Sequence, residues 1–185
     1  MEIKVEIPEG KKPEWRRIDG DLALVFVDKE PEYSFESINT FGDACTKLGI
    51  SAVAFNVSDG GDQQAQRQAR ALYKLLIIQK AINNGVLRNK NGQTYNPYWI
   101  LYTKDEMKHM SEDEKQEKGV KHILSCTCAD LSEYSGVGNL FALNRDSEPT
   151  LSLSFPLCFN SEEAALYAAK QFESVFFDYY GIKVK

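Results

Sequence analysis

The chain has 185 residues, enough for one domain with a sizeable core, and its apolar content of 43% is ordinary for a soluble globular protein. Its 27 acidic and 22 basic residues leave a net charge of −5, a balance that favours solubility and disfavours a phosphate backbone as the main partner. No apolar run approaches membrane-spanning length, so no membrane partner is expected. The opening Met1-Glu-Ile-Lys-Val-Glu-Ile7 alternates charge with apolar residues and lacks the apolar core of a secretion signal. Four cysteines, Cys45, Cys126, Cys128 and Cys158, are scattered as reduced thiols of a cytoplasmic protein would be.

Taken in order, Glu2 to Ile7 reads as an opening strand ended by Pro8 and Gly10. Lys11, Lys12, Arg16 and Arg17 then surround Trp15, a basic cluster with an aromatic inside it that is suited to stacking a base and holding phosphates. The competing reading is a solvated strand edge with Trp15 packed beneath, because Glu9, Glu14, Asp19 and Asp21 interleave with the cations. Leu22 to Val27 is an unbroken apolar run, the pattern of a strand buried on both faces. Thr40-Phe-Gly-Asp43 caps a short helix with Phe41, Ala44, Cys45 and Leu48 inward, stopped by Gly49.

Ser51 to Val57 reads as a strand, and Ser58 to Asp62 as a turn into the longest helix, about Asp62 to Asn83. The second half of that helix is apolar on a broad face; its first half projects glutamines and arginines, among them Arg67 and Arg70, along a surface. Asn83-Asn-Gly85 stops it, and Asn89 to Gln93 is a tight turn, so a single domain over residues 1–185 has its weakest point, a lobe boundary, near 85–96.

Pro97 to Tyr102 is an aromatic-rich strand. The charged Thr103 to Gly119 stretch is an exposed connection with two helix starts, Thr103-x-x-Glu106 and Ser111-x-x-Glu114. Lys121 to Thr127 reads as a strand, Ser132 to Asn139 as a Ser/Gly-rich loop, and Leu140 to Leu143 as a short strand. Thr150 to Phe155 alternates as a half-buried strand does. A helix capped by Asn160 and Glu163 then carries Ala165, Ala169, Phe172, Phe176 and Tyr179 on one stripe until Gly181 ends it. The fold class is α+β: a mixed, mainly antiparallel sheet, a long central helix, and a C-terminal amphipathic helix packed on the sheet.

Little in the sequence points to catalysis. His122, Cys126 and Cys128 share one face of an extended strand and form the nearest approach to a zinc site, but a fourth ligand would have to come from Cys158 or His109. Gly136-Val-Gly138 lacks the third glycine of a phosphate loop, and no Walker lysine, nucleophile elbow or paired-histidine zinc helix is present. No cofactor is expected. Aromatic residues are the remaining lead: Tyr98, Trp99, Tyr102 and Tyr134, with Gly136 and Asn139 of the loop, form the expected contact region for another protein or a second copy of the chain. Nucleic acid, held by Lys11, Lys12, Trp15, Arg16 and Arg17 with Arg67 and Arg70, is the alternative partner.

In layout the chain resembles a diffuse group of short, mostly uncharacterised proteins encoded by prophages and mobile elements of gut anaerobic bacteria of the Bacteroidales type. The resemblance rests on Thr40-Phe-Gly-Asp-Ala-Cys-Thr-Lys-Leu-Gly49, the long helix ending near Gly85, Asn96-Pro-Tyr-Trp99, and Leu157 to Phe172 followed by Asp178-Tyr-Tyr180. Many members carry an arginine before the leucine of that closing motif, where this chain has Pro156. The resemblance implies a phage or mobile-element protein, structural or accessory rather than enzymatic, located in the bacterial cytoplasm or on the virion.

Overall fold

A computed structural model describes residues 5–28, 33–52, 62–85, 94–127, 131–145 and 157–185. The chain forms two compact units, Met1–Ser34 and Phe35–Lys185.

The first unit is a β-hairpin. Strands β1 (Lys11–Ile18) and β2 (Asp21–Asp28) pair antiparallel from Lys11 opposite Asp28 to Ile18 opposite Asp21. Asp19 and Gly20 alone make the turn, both at positive φ (52° and 94°), as a two-residue loop with the right-handed twist of a hairpin requires. That Asp-Gly turn fixes the register and draws the charged run into a strand. The expected opening strand is absent over its described part, since Val5 to Ile7 are irregular and exposed, while residues 1–4 lie outside the described residues. Leu22 to Val27 does form a strand, but with β1 its one paired neighbour among the described residues, Leu22 is exposed and Ala23 to Val27 are half-buried, not covered on both faces.

The second unit begins with a short 3₁₀ turn at Phe35–Ser37 and helix α1 (Phe41–Lys47). Thr40 and Asp43 cap α1 reciprocally, as their spacing requires, and Gly49 leaves it at a φ of 64°. Helix α2 (Gln63–Ile82) is capped by Asp62 and buries Ala71, Leu75, Ile78 and Ile82. The sheet is antiparallel, in the order β3 (Thr94–Thr103), β5 (Tyr134–Arg145), β4 (Lys121–Ser125), β6 (Lys183–Val184). Helices α3 (Lys104–His109) and α4 (Glu112–Glu117) occupy the charged connection, and Thr103 and Ser111 cap them as expected. At α3 the Glu106 carboxylate accepts from the Thr103 backbone N–H at 2.7 Å, which holds its pKa below the usual range. Expected strand Ser51–Val57 and the turn after it lie largely outside the described residues. So do the Asn89–Gln93 turn and the Thr150–Phe155 strand.

The Ser132–Asn139 passage is not a loop from Tyr134 onward but the first half of β5. Asn139, in the left-handed region at φ 48°, sits where the β3–β5 register slips by one residue. Its N–H donates to the Lys118 carbonyl at 2.6 Å, so the irregularity is tied to the α4–β4 connection.

The closing helix is two helices, α5 (Glu162–Gln171) and α6 (Glu173–Tyr180), because Phe172 leaves helical geometry at φ −115°, ψ 27°. Its cap is Ser161, whose Oγ accepts from the Ala164 N–H, and not Asn160, whose own N–H is spent on the Asn83 side chain. Small residues Ala165, Ala168 and Ala169 are fully buried and let α5 lie close over β3 and β5. The break at Phe172 lets neighbouring phenylalanines serve two clusters. Phe176 joins the main one with Leu75, Ile78 and Phe159, and Phe177 joins a second with Ile123, Val137 and Ile182. Expected stripe residues Ala165, Ala169, Phe172 and Phe176 are buried, and Tyr179 is half-buried.

Phe176 is fully buried with its ring 5.4 Å from that of Trp99. Phe176→Ala is expected to cost about 3–5 kcal/mol in urea denaturation, whereas Leu124→Ala at an exposed site should stay within about 0.5 kcal/mol.

Tyr167 of α5 holds the segment before α1: its hydroxyl lies 3.0 Å from the Glu36 carbonyl, 3.3 Å from that of Ile38 and 3.1 Å from the Asn39 side-chain oxygen. Burial, then the charges of Glu36 and Asp43, push its pKa up. The folded state therefore prefers the protonated phenol, so this contribution is complete below the ordinary tyrosine value of about 10 and is lost as pH rises past the folded value. Tyr167→Phe should cost about 1 kcal/mol at neutral pH and show a shallower alkaline loss than the parent in the same denaturation assay.

Candidate binding site at the open edge of the sheet

The site starts from a backbone group that must be satisfied. The Cys158 carbonyl, in a buried segment, accepts from Gln79 Nε2 at 2.7 Å and from Asn83 Nδ2 at 2.9 Å, and the Asn83 side-chain oxygen takes the Asn160 N–H at 3.1 Å. Both amide side chains are themselves buried, at 3% and 4% exposure. The end of α2 thus clamps residues 158–160, and Phe159 is presented to β3, where it exchanges two 2.9 Å bonds with Tyr95.

That isolated bridge sets the parity of β3. Tyr95 directs its N–H and C=O away from β5, so by the two-residue repeat of a strand Trp99 and Leu101 do likewise. Beyond Tyr95 no described strand pairs with this edge. Side chains alternate too: Trp99 lies on the α6 side, with ring centroids 5.4 Å from Phe176, 5.5 Å from Phe177 and 6.2 Å from Tyr180, while Tyr98 stacks on Phe141 at 6.0 Å on the opposite face.

Beside this edge lies a cavity of about 260 Å³, walled by Pro97, Trp99 and Leu101 of β3 together with Leu157, Phe176 and Tyr180. Asn96 and Tyr98 also reach it. Asn96 is 6% exposed, yet neither its side-chain oxygen nor its nitrogen has a hydrogen-bond partner. Leaving such a group unmatched costs roughly 1–3 kcal/mol, which marks this stretch as one not built for stability alone.

Of the aromatic contact region expected from sequence, Tyr98 and Trp99 come together at the cavity. The other members do not join them. Tyr102 is buried at 6% exposure, Tyr134 is half-buried opposite Thr103, Gly136 lies opposite Tyr102, and Asn139 is the register irregularity. The signal missed in the sequence was the polar pair Gln79 and Asn83, one helical turn apart on the otherwise apolar face of α2.

The basic cluster is divided by its own hairpin. Cross-strand pairing places Lys11, Trp15 and Arg17 on one face and Lys12 and Arg16 on the other. Lys11 is paired with Asp28 at 2.6 Å, and Arg16 with Glu14 at 3.1 Å, whose carboxyl it holds below the usual range. Trp15 is 63% exposed rather than packed beneath the strand. Arg67 and Arg70 belong to the other unit.

His122 is exposed, Cys126 is half-buried against the Ile123 cluster, and Cys128 lies outside the described residues. His109 is exposed on α3 with Nδ1 against the Asp105 carbonyl at 2.7 Å. Among the described residues no group of three or more His, Cys, Asp or Glu is placed to hold a metal ion. Among them, too, no helix is long and apolar enough to cross a membrane.

The fold and site define an α+β protein in which, among the described residues, no strand pairs with the aromatic-lined β3 edge beyond Tyr95. No family model, curated protein or solved structure matches the chain.

Gly136 and Gly138 have a packing explanation. A Cβ at Gly136 would come within 2.3 Å of the Met107 sulfur, and one at Gly138 within 2.7 Å of the Val120 Cα and 3.0 Å of the Lys118 carbonyl oxygen. Met107 is a flexible side chain that can yield; the Val120 backbone is not. Gly138→Ala is therefore expected to lower the denaturation midpoint by the equivalent of about 1–3 kcal/mol, and Gly136→Ala by clearly less.

Proposed function

We propose that this chain is a non-catalytic, phage- or mobile-element-encoded accessory protein that works by binding another protein at the β3 edge. The observation that carries the reading is the pairing of two features at one place: outward strand positions Trp99 and Leu101 that no described strand pairs, and an apolar cavity of about 260 Å³ beside them. An extended segment laid antiparallel to β3, continuing the Tyr95–Phe159 pairing, matches both. Its backbone meets the outward groups and its apolar side chain enters the cavity, the mode by which exposed sheet edges capture peptides. The chain already uses this chemistry on itself at Phe159. The phage origin is supported by the layout shared with the prophage-encoded group, from Thr40-Phe-Gly-Asp43 to Asp178-Tyr-Tyr180.

Trp99 walls the cavity, and Trp15 is the chain's other tryptophan, so in a Trp15→Phe background the indole emission reports this site alone. Titration with a capped peptide of alternating threonine and phenylalanine should shift that emission saturably. The same peptide N-methylated on the amides that face β3 should bind about tenfold more weakly. Leu101→Phe, which adds bulk to the cavity without a second indole, should weaken the response at least tenfold while the far-UV spectrum is unchanged. Absence of any saturable response, or outward Trp99 and Leu101 amides already protected from hydrogen exchange in the free protein, would overturn the reading.

A further inference from the structure

We infer that the groove between α2 and α6 is a binding site for a phosphate-bearing anion, separate from the β3 edge. The starting point is a compositional oddity. Helix α2 runs for 20 residues with Arg67, Arg70, Lys74 and Lys80 and no acidic residue, in a chain with 27 aspartates and glutamates. An exposed helix that merely needs solvation in such a chain would be expected to mix signs and gain from pairs one turn apart.

The first three cations fall at steps of three and four, so they share one face. They line one cavity of about 480 Å³ with Gln63 and Gln66, across from Asp178 of α6. Among the described residues Arg67, Arg70 and Lys74 form no ion pair; Lys74 rests over the Phe41 ring at 5.9 Å. Three positive charges against one carboxylate leave an excess of two in a protein of net charge −5. A concave site lined by one sign of charge focuses its field on an incoming counter-ion.

The geometry narrows the class of ligand. Arg67 to Lys74 spans roughly 10 Å along the helix at about 1.5 Å per residue. A single carboxylate would occupy one guanidinium and leave the others unmatched. A ligand with several anionic oxygens in a row uses all three, taking the planar forks of Arg67 and Arg70 in two-point contacts and Lys74 as a point charge. Gln63, in the first turn of α2, forms one end of the groove; the helix end itself is already capped by the Asp62 carboxylate. Asp178 stands as an acceptor for a hydroxyl on the same ligand. Two sources carry this chemistry: a free polyphosphate or nucleotide, and the backbone of a nucleic acid.

The test is titration of the ¹⁵N-labelled full chain with sodium tripolyphosphate, with ATP, and with a dT oligonucleotide about twelve residues long, at ionic strength near 0.01 M where screening is weakest. Saturable shifts confined to residues 63–74 and 175–178 are expected with at least one probe. The Arg67→Glu/Arg70→Glu variant should weaken that probe at least tenfold, and Lys80→Glu, on the same helix outside the groove, should change it less than twofold. Tighter binding of the oligonucleotide with a steep salt dependence would identify a nucleic-acid backbone; equal or tighter binding of tripolyphosphate or ATP would identify a free phosphate compound. No saturable shift with any of the three, or equal affinity for the double variant, would overturn the site. Neither result bears on peptide capture, which is read at Trp99.

Discussion

The bond pattern around the Cys158 carbonyl is the constraint on which the arrangement of the second unit depends. The carbonyl of buried Cys158 is shielded from water, and Gln79 and Asn83 each supply it with a donor. Because the same Asn83 also accepts from Asn160, the end of α2 is locked to the residues that start α5. Phe159, held between these anchors, can pair with only one strand edge, that of β3 at Tyr95. Removing either amide would take a donor from the buried Cys158 carbonyl, which is why both sit on the otherwise apolar face of α2. Asn96, a few residues along the same edge, is the contrast: equally buried and unmatched.

From that knot the layers follow. The alanines of α5 permit close approach to β3 and β5, and the break at Phe172 redirects the chain so that α6 lies against α2. A continuous helix would have sent Phe176 and Phe177 to different depths of one cluster. The break instead seats them in neighbouring clusters, with Trp99 touching both rings.

Elements whose signals are local were legible in the sequence. The caps Thr40, Thr103 and Ser111 and the stop at Gly181 act within one turn of the chain, so residue type and spacing suffice to find them. The α+β class followed from the alternation of such signals. What escaped depended on distant partners. Gly136 and Gly138 looked like a loop because glycine weakens a strand, yet they lie in an interior strand to make room for Met107 and the Val120 backbone. Asn160 looked like a cap, but the helix starts one residue later, where the Ser161 hydroxyl accepts from Ala164, and the Asn160 N–H is tied to Asn83, far away in sequence. The hairpin was missed for the opposite reason: Asp19-Gly20 is a strong local turn signal, but acidic and basic residues around it read as surface. Of the candidate site, the aromatic half was visible as Tyr98 and Trp99; the position of β3 at the end of the described strand order was not, since which strand lies outermost is a property of topology.

Helix α6 is the wall common to both proposed sites, and its sequence shows how one short helix serves two chemistries. Phe176 and Tyr180, four apart, face the cavity at the β3 edge, whereas Val175 and Asp178, three apart, face the cationic groove of α2. An apolar occupant and an anionic one therefore never compete for the same surface. They do share the packing that sets the position of α6, namely the Trp99 cluster on one side and α2 on the other. Tight packing passes small displacements on instead of absorbing them, so α6 is a route by which one occupant would alter the affinity for the other, and any such effect is equal in both directions.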